Sequence, residues 1–471
     1  MLNNTKHQIG KNFNALFPLL VFLPLLFTNV FPDTQLTHKG VTWYFSENHT
    51  TGQYINGDPW VIGPVTITDI SPKPATGRNG TMLNPTIGRT QAFDSRISAY
   101  HPYETTLNVG LQLPLTANPN DSIVSSISKS EDSKHEQIST FSILTIVGKE
   151  PAYDEFRPSP INRDYNKSFH ESDINYTRLN ILPKSELTVH SIDLSIERFS
   201  ETWFEKDLTW TGRYLHPHYM GEQNGYGKGI AIMTGTAVLQ LQLDYPSEKK
   251  RELAILLLQY GLDIHATLAL GNRWDADGGH NPGRFAPAFL AAALFNDKDM
   301  LYNISSEAMA FQELQQTFYV TQSDVSIVHD GNKPPYLQYE QTDIGMPEWG
   351  IRHSSKPSTD NRYWSAAYRY IAGGVLIAPY VAASLMNLKE TINHDAFFDY
   401  AKRHLFYRLN RFKNPKYYNG FDDGNGYGEG PTINDSPFSS NDIPGFHQDF
   451  FLAFEHILNE KPTQPSSLEI N

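Results

Sequence analysis

The 471-residue chain contains no cysteine. That excludes disulfides, thiolate zinc sites, iron–sulfur clusters and a cysteine nucleophile. Basic residues are sparse: 38 Lys and Arg against 51 Asp and Glu leave a formal charge of -13. A nucleic-acid or anionic-membrane partner needs a dense basic face, so neither is expected. Long apolar runs are lacking as well. Phe13 to Phe27 comes nearest, but it is interrupted by Asn14, Pro18 and Pro24 and falls short of the roughly 20 residues that span a bilayer. Lys6 and Lys11 precede it and no acid occurs in residues 1–32, which reads as a secretory leader. A secreted or periplasmic bacterial protein with no transmembrane domain in its mature form is expected. Also missing are a Walker phosphate loop, a G-x-S-x-G nucleophile elbow, an H-E-x-x-H helix and a Rossmann glycine fingerprint.

What is abundant is aromatic: 27 Phe, 25 Tyr and 7 Trp. Most of these rings fill a core, but Tyr and Trp also offer a flat apolar face with a polar edge, suited to stacking on a sugar ring. The order of patterns predicts an α+β chain of several parts. Residues 36–148 read as a β-sandwich, from β-branched and aromatic runs such as Val41–Phe45, Trp60–Thr68 and Phe141–Val147 punctuated by Gly and Pro turns. The Ser-rich stretch from Asn118 to Thr140 reads as a solvated loop within it. Residues 149–200, with Pro151, Pro158, Pro160 and Pro183, read as a linker wrapping the interface. Residues 201–460 carry helical periodicity at 229–243, 247–270, 284–295, 305–318, 362–386, 395–412 and 448–458. Helices joined by long, chemically rich loops predict an (α/α) toroid-like catalytic domain, followed by a flexible tail at 461–471.

Five segments concentrate the chemistry. Residues 272–284 (NRWDADGGHNPGR) hold Asp275, Asp277, His280, Asn281 and Arg284 around three glycines, between two predicted helices. A salt-bridged helix connection is the plain alternative to an active-site loop. Residues 345–353 hold Glu348, Arg352 and His353; a helical turn after Pro347 would set Glu348 and Arg352 four apart on one face. Residues 210–227 hold Arg213, His218, Tyr219 and Tyr226. Here His216-x-His218 has the spacing of a metal pair, but no third ligand is identified and no metal is assigned. Residues 361–370 open a helix with Tyr363 between Arg362 and Arg369, the plain alternative being a wet helix edge. The acidic, glycine-rich loop 421–429 could hold calcium through oxygen ligands but lacks EF-hand spacing, and an unliganded surface turn is the favoured reading, so no cofactor is expected.

The loop Trp274-Asp275-Ala276-Asp277-Gly278-Gly279-His280, in a β-domain, linker and α/α layout, resembles secreted carbohydrate-active enzymes of the α/α-toroid kind. One branch is the six-hairpin inverting cellulases with an Asp-Ala-Gly-Asp loop. The other is the uronate polysaccharide lyases and related oligosaccharide dehydratases, including those of ulvan breakdown. The second resemblance implies β-elimination from an anionic poly- or oligosaccharide of ulvan or alginate type. His280 or His353 would be the base, Tyr219 or Tyr363 the acid, and Arg284 and Arg352 the carboxylate clamp, with Arg213, His218, Tyr226, Asp275, Asp277, Asn281 and Glu348 binding substrate. The first implies an inverting hydrolase using Asp275 or Asp277 with Glu348. A non-catalytic carbohydrate-binding surface protein is the third reading. Oligomeric state is not legible.

Overall fold

A computed structural model describes residues 31–132, 137–188, 191–215, 227–326, 339, 341–350, 372–409 and 443–459. The chain is α+β, an N-terminal curled mixed sheet followed by a helical region. Eight strands form the sheet: β1 (Phe31–His38), β2 (Val41–Gln53), β3 (Pro59–Ile62), β4 (Val65–Ser71), β5 (Thr81–Leu83), β6 (Leu115–Ala117), β7 (Ser122–Ser128) and β8 (Ile138–Val147). Their order is β5-β7-β8-β3-β2-β4-β6, with β1 on β2. The β3–β8 pairing is parallel and the others antiparallel. The long β2 is the hub: its first residues pair with β4 and its last with β3.

The expected β-sandwich is therefore corrected to one sheet. Successive strand residues face opposite sides, and β8 buries both sets. Leu144 and Ile146 join Val41, Trp43, Phe45 and Ile67 in one core. Phe141 and Ile143 join Phe93, Val124, Phe204 and Leu215 in another. The second face is thus covered by the chain entering the helical region, where Phe93, Phe141 and Phe204 meet edge-to-face at 4.9–6.0 Å. A second sheet is not required. The Asn118–Thr140 loop is corrected too: Ser122, Ser125, Ser126 and Ser128 lie in β7, where Ser125 accepts from Trp43 Nε1 at 3.1 Å and Ser126 donates to Gly80 O at 3.1 Å. Satisfied hydroxyls allow a Ser-rich strand to be buried.

Among the described residues there are eleven α-helices: α1 (Ile192–Ser200), α2 (Gly227–Gln240), α3 (Ser247–Leu268), α4 (Phe285–Phe295), α5 (Lys298–Asn303), α6 (Gln312–Gln315), α7 (Gln322–Val325), α8 (Ile377–Leu385), α9 (Lys389–Ile392), α10 (Asp395–Arg408) and α11 (Gly445–Asn459). Phe285–Leu294 of α4 are all buried, which marks it as an internal helix. The helix expected at 305–318 is corrected: α6 is four residues long, and Thr317–Tyr319 forms strand β9, paired with β10 (Pro347–Trp349). Residues 149–188 run as turns and 3-10 segments, hydrogen-bonding outward through Asn175 N to Leu294 O and Leu182 N to Gln242 O. No helix among the described residues is long and apolar enough to cross a membrane.

Candidate functional site

A cleft of about 430 Å³ opens between the sheet region and the helical region. Its lining includes Arg89 from the sheet region, Asp207 and Thr209 from the entering segment, and Arg273, Asp275, Asp277 and Asn281 from the 272–284 loop. Three of the expected site residues are thus brought together. Tyr219, His218, Tyr226, Arg352, His353 and Tyr363 lie outside the described residues, as does the 421–429 loop. Among the described residues, no group of His, Asp and Glu has the arrangement of a metal site.

The loop is held from beneath by α6. Gln312 Oε1 accepts from the amides of Asp277 (3.1 Å) and Asn281 (3.0 Å), while its Nε2 donates to Gly278 O at 2.9 Å. Gln315 Oε1 accepts from Ala276 N at 2.8 Å, and its Nε2 donates to Asp275 Oδ1 at 2.7 Å. Gln316 donates to Gly278 O at 2.9 Å. Asn281 Nδ2 donates to Asp275 O and Leu208 O, at 2.7 and 2.9 Å. Asp277 Oδ2 accepts from Trp210 N at 3.2 Å. Gly283, at φ +100°, lies where a Cβ would come within 2.4 Å of Ala231 N on α2, so the loop's exit requires glycine.

Two expected roles change. Arg284 is buried and bidentate with Glu205 (2.9 and 3.1 Å), and it donates further to His280 O and Pro282 O. Its guanidinium is committed to the fold, and the arginines that line the cleft are Arg273 and Arg89. Glu348 lies in strand β10 rather than a helical turn, which removes the four-residue geometry for Arg352. Instead Glu348 is fully buried, with Arg403 Nη1 at 3.5 Å. Gly350 and the 272–284 loop nevertheless meet at Gln316, whose carbonyl accepts from Gly350 N at 2.8 Å and whose side chain holds Gly278.

His280 is half-buried, its ring tilted against Trp210 with centroids 6.0 Å apart. Arg213 Nη2 donates to Tyr214 Oη at 2.8 Å, and its guanidinium lies over the rings of Tyr214 and Trp210.

The segment before Trp210 carries residues that sequence reasoning missed. Asp207 Oδ2 accepts from His101 Nε2 at 3.0 Å and from Thr211 Oγ1, and Oδ1 accepts from Thr209 N at 2.9 Å. Burial pushes the Asp207 carboxyl up, but these hydrogen bonds outweigh it and hold the group below its ordinary value, so Asp207 stands in the cleft as a carboxylate. Arg89 donates to Thr209 Oγ1 at 3.1 Å, with Nε 3.8 Å from Asp207. Lys206 fastens this corner: its amide oxygen accepts from Gly88 N at 2.8 Å and its ammonium donates to Gly88 O at 2.9 Å. Burial pushes that ammonium down to about 8. These partners are more than 100 residues apart in sequence, and no spacing rule could have paired them. The three carboxamides of Gln312-Glu313-Leu314-Gln315-Gln316 were a usable signal, lying between the apolar Phe311 and Phe318.

No family model, curated protein or solved structure matches the chain.

Proposed function

We propose that this chain is a carbohydrate-active enzyme that acts by β-elimination on a uronic-acid-containing poly- or oligosaccharide in the cleft beside the 272–284 loop. One observation carries the reading: arginines from two regions of the chain, Arg89 and Arg273, line the same cleft as Asn281, the residue after His280. The hydrogen alpha to a uronate carboxylate becomes removable when that carboxylate is neutralised and the enolate-like charge is stabilised. Arg273 and Arg89 supply the positive charge, Asn281 lies on the same wall, and His280 takes the proton. The electron pair forms the ring double bond and expels the oxygen at the beta position. That oxygen leaves with a proton from Tyr219 or Tyr363. Loss of a sugar makes the enzyme a lyase and loss of water a dehydratase. The closed α/α ring and export through the N-terminal leader belong to the same proposal.

Incubation with ulvan, alginate and heparin fragments tests it, because an unsaturated uronate absorbs in the ultraviolet and hydrolysis products do not. Replacing His280 with Gln is expected to lower kcat roughly 10²–10⁴-fold with the melting temperature unchanged. New reducing ends without absorbance would overturn elimination. They would favour the second reading, inverting hydrolysis, which is supported by Asp207, Asp275 and Asp277 lining one cleft. In that case the partner acid is Asp207, since Glu348 is buried against Arg403.

A further inference from the structure

Beside the cleft lies an aromatic ledge built from two regions of the chain. Tyr100, 48% exposed, meets Trp210 edge-on at 4.8 Å and stacks with Tyr214 at 6.3 Å and an interplanar angle of 20°. The Arg213 guanidinium lies 5.4 Å from the Trp210 ring centre and 4.8 Å from that of Tyr214. Three links join ledge to cleft. Trp210 follows the cleft-lining Thr209 in the chain, a step of about 3.8 Å between Cα atoms. Its amide donates to Asp277 of the cleft at 3.2 Å. Tyr100 precedes His101, which is anchored at 3.0 Å to Asp207 of the cleft.

A core has no need of an exposed tyrosine beside a guanidinium that lies over two further aromatic rings at the rim of a polar cleft. A pyranose ring does: its axial C–H face packs on an aromatic plane, and a carboxylate on that ring pairs with the arginine. We infer that Tyr100, Trp210, Tyr214 and Arg213 form a subsite for an acidic sugar unit next to the one in the cleft. The substrate is thereby a saccharide of at least two units, held at one by stacking and at the other by the polar cleft. This inference rests on the saccharide reading of the cleft, but it concerns binding and not the reaction performed.

Calorimetric titration with the single uronates and the disaccharides of alginate, ulvan and heparin, and with neutral cello-oligosaccharides, tests it. At least one acidic disaccharide is expected to bind more tightly than its single uronate. Tyr100→Ala, at a half-exposed position, is expected to weaken the disaccharide about tenfold and leave the single uronate unaffected. Arg213→Gln is expected to erase the preference for acidic over neutral chains, with the circular dichroism spectrum unchanged. Equal losses for both lengths, no loss in either variant, or no binding by any acidic disaccharide would overturn the subsite. Length-dependent binding without any unsaturated product would leave the subsite standing and overturn the eliminase reading.

Discussion

Glu313 occupies a place where a carboxylate is expensive. It is 2% exposed; Oε1 accepts from Gly283 N at 2.6 Å, and Oε2 has no hydrogen-bond partner among the described residues. Burial pushes its acid up to about 7, opposed only in part by the Gly283 hydrogen bond and the Arg284 charge. A folded-state value raised above the unfolded one adds stability that is fully present below the unfolded value, near 4.5, and lost as pH rises through about 7. Glu313→Gln keeps an acceptor for Gly283 and removes the titration. The variant is expected to be about 1–3 kcal/mol more stable than the parent at pH 8 and nearly equal to it at pH 5, by urea unfolding. A gain of the same size at both pH values would show that the carboxyl does not titrate in this range. Asp275, Asp277 and Asn281 were legible beforehand from their shared loop, but Glu313 was not, because a glutamate in a polar run reads as solvated until its neighbours are known.

α6 is a four-residue helix, far below the length that holds together by itself in water. It exists because its side chains replace water for the backbone of the 272–284 loop. Gln312→Ala would strip the acceptor from two buried amides and the donor from one carbonyl, an expected loss of about 2–4 kcal/mol. The same change should speed hydrogen exchange at Asp277 and Asn281 more than at α4, since α4 does not depend on that carboxamide; uniform acceleration would count against local support. Elements with strong period were readable: α3 spans Ser247–Leu268 against an expectation of 247–270, and β8 contains the run read from Phe141. α6 and β9 were not, because residues 305–318 carry helix-forming composition while Thr317 and Phe318 at its end are taken into the pairing with β10. The close fit of α3 on α4 was equally hidden. A Cβ at Gly261 would sit 2.4 Å from Pro287 O and 2.9 Å from Ala291 Cβ. Gly261→Ala is therefore expected to cost about 1–3 kcal/mol despite its higher helix propensity, read as a lower urea midpoint with an unchanged m-value.

Across the whole molecule, one buried guanidinium ties the sheet region to the helices. Arg157 Nε donates to Asp58 at 2.6 Å, just before β3, and Nη2 donates to Asp263 of α3 at 2.5 Å. Its backbone is held by Gln259 through bonds of 3.0 and 3.1 Å. The two carboxylates are not equivalent. Burial pushes both up, but Asp58 is also faced by Lys39 and His38 and is held below its ordinary value. Asp263 shares Arg157 with the Asp58 charge, and burial leaves it raised to about 6. Its contribution to stability is thus present below about pH 4 and lost as pH rises through 6. Asp263→Asn is expected to raise the melting temperature at pH 8 and leave it unchanged at pH 4. Arg157→Met should do the reverse of a mild change: it strands two buried acids and is expected to cost about 3–5 kcal/mol at pH 8. Because Arg157 joins the two regions that also frame the cleft, that loss should appear as two separated unfolding transitions and as weaker saccharide binding at temperatures where both regions remain folded. A single cooperative transition with unaltered binding would mean that the sheet and helices are held together mainly by the Phe93, Phe141 and Phe204 contact, with the ion triad contributing little to their alignment.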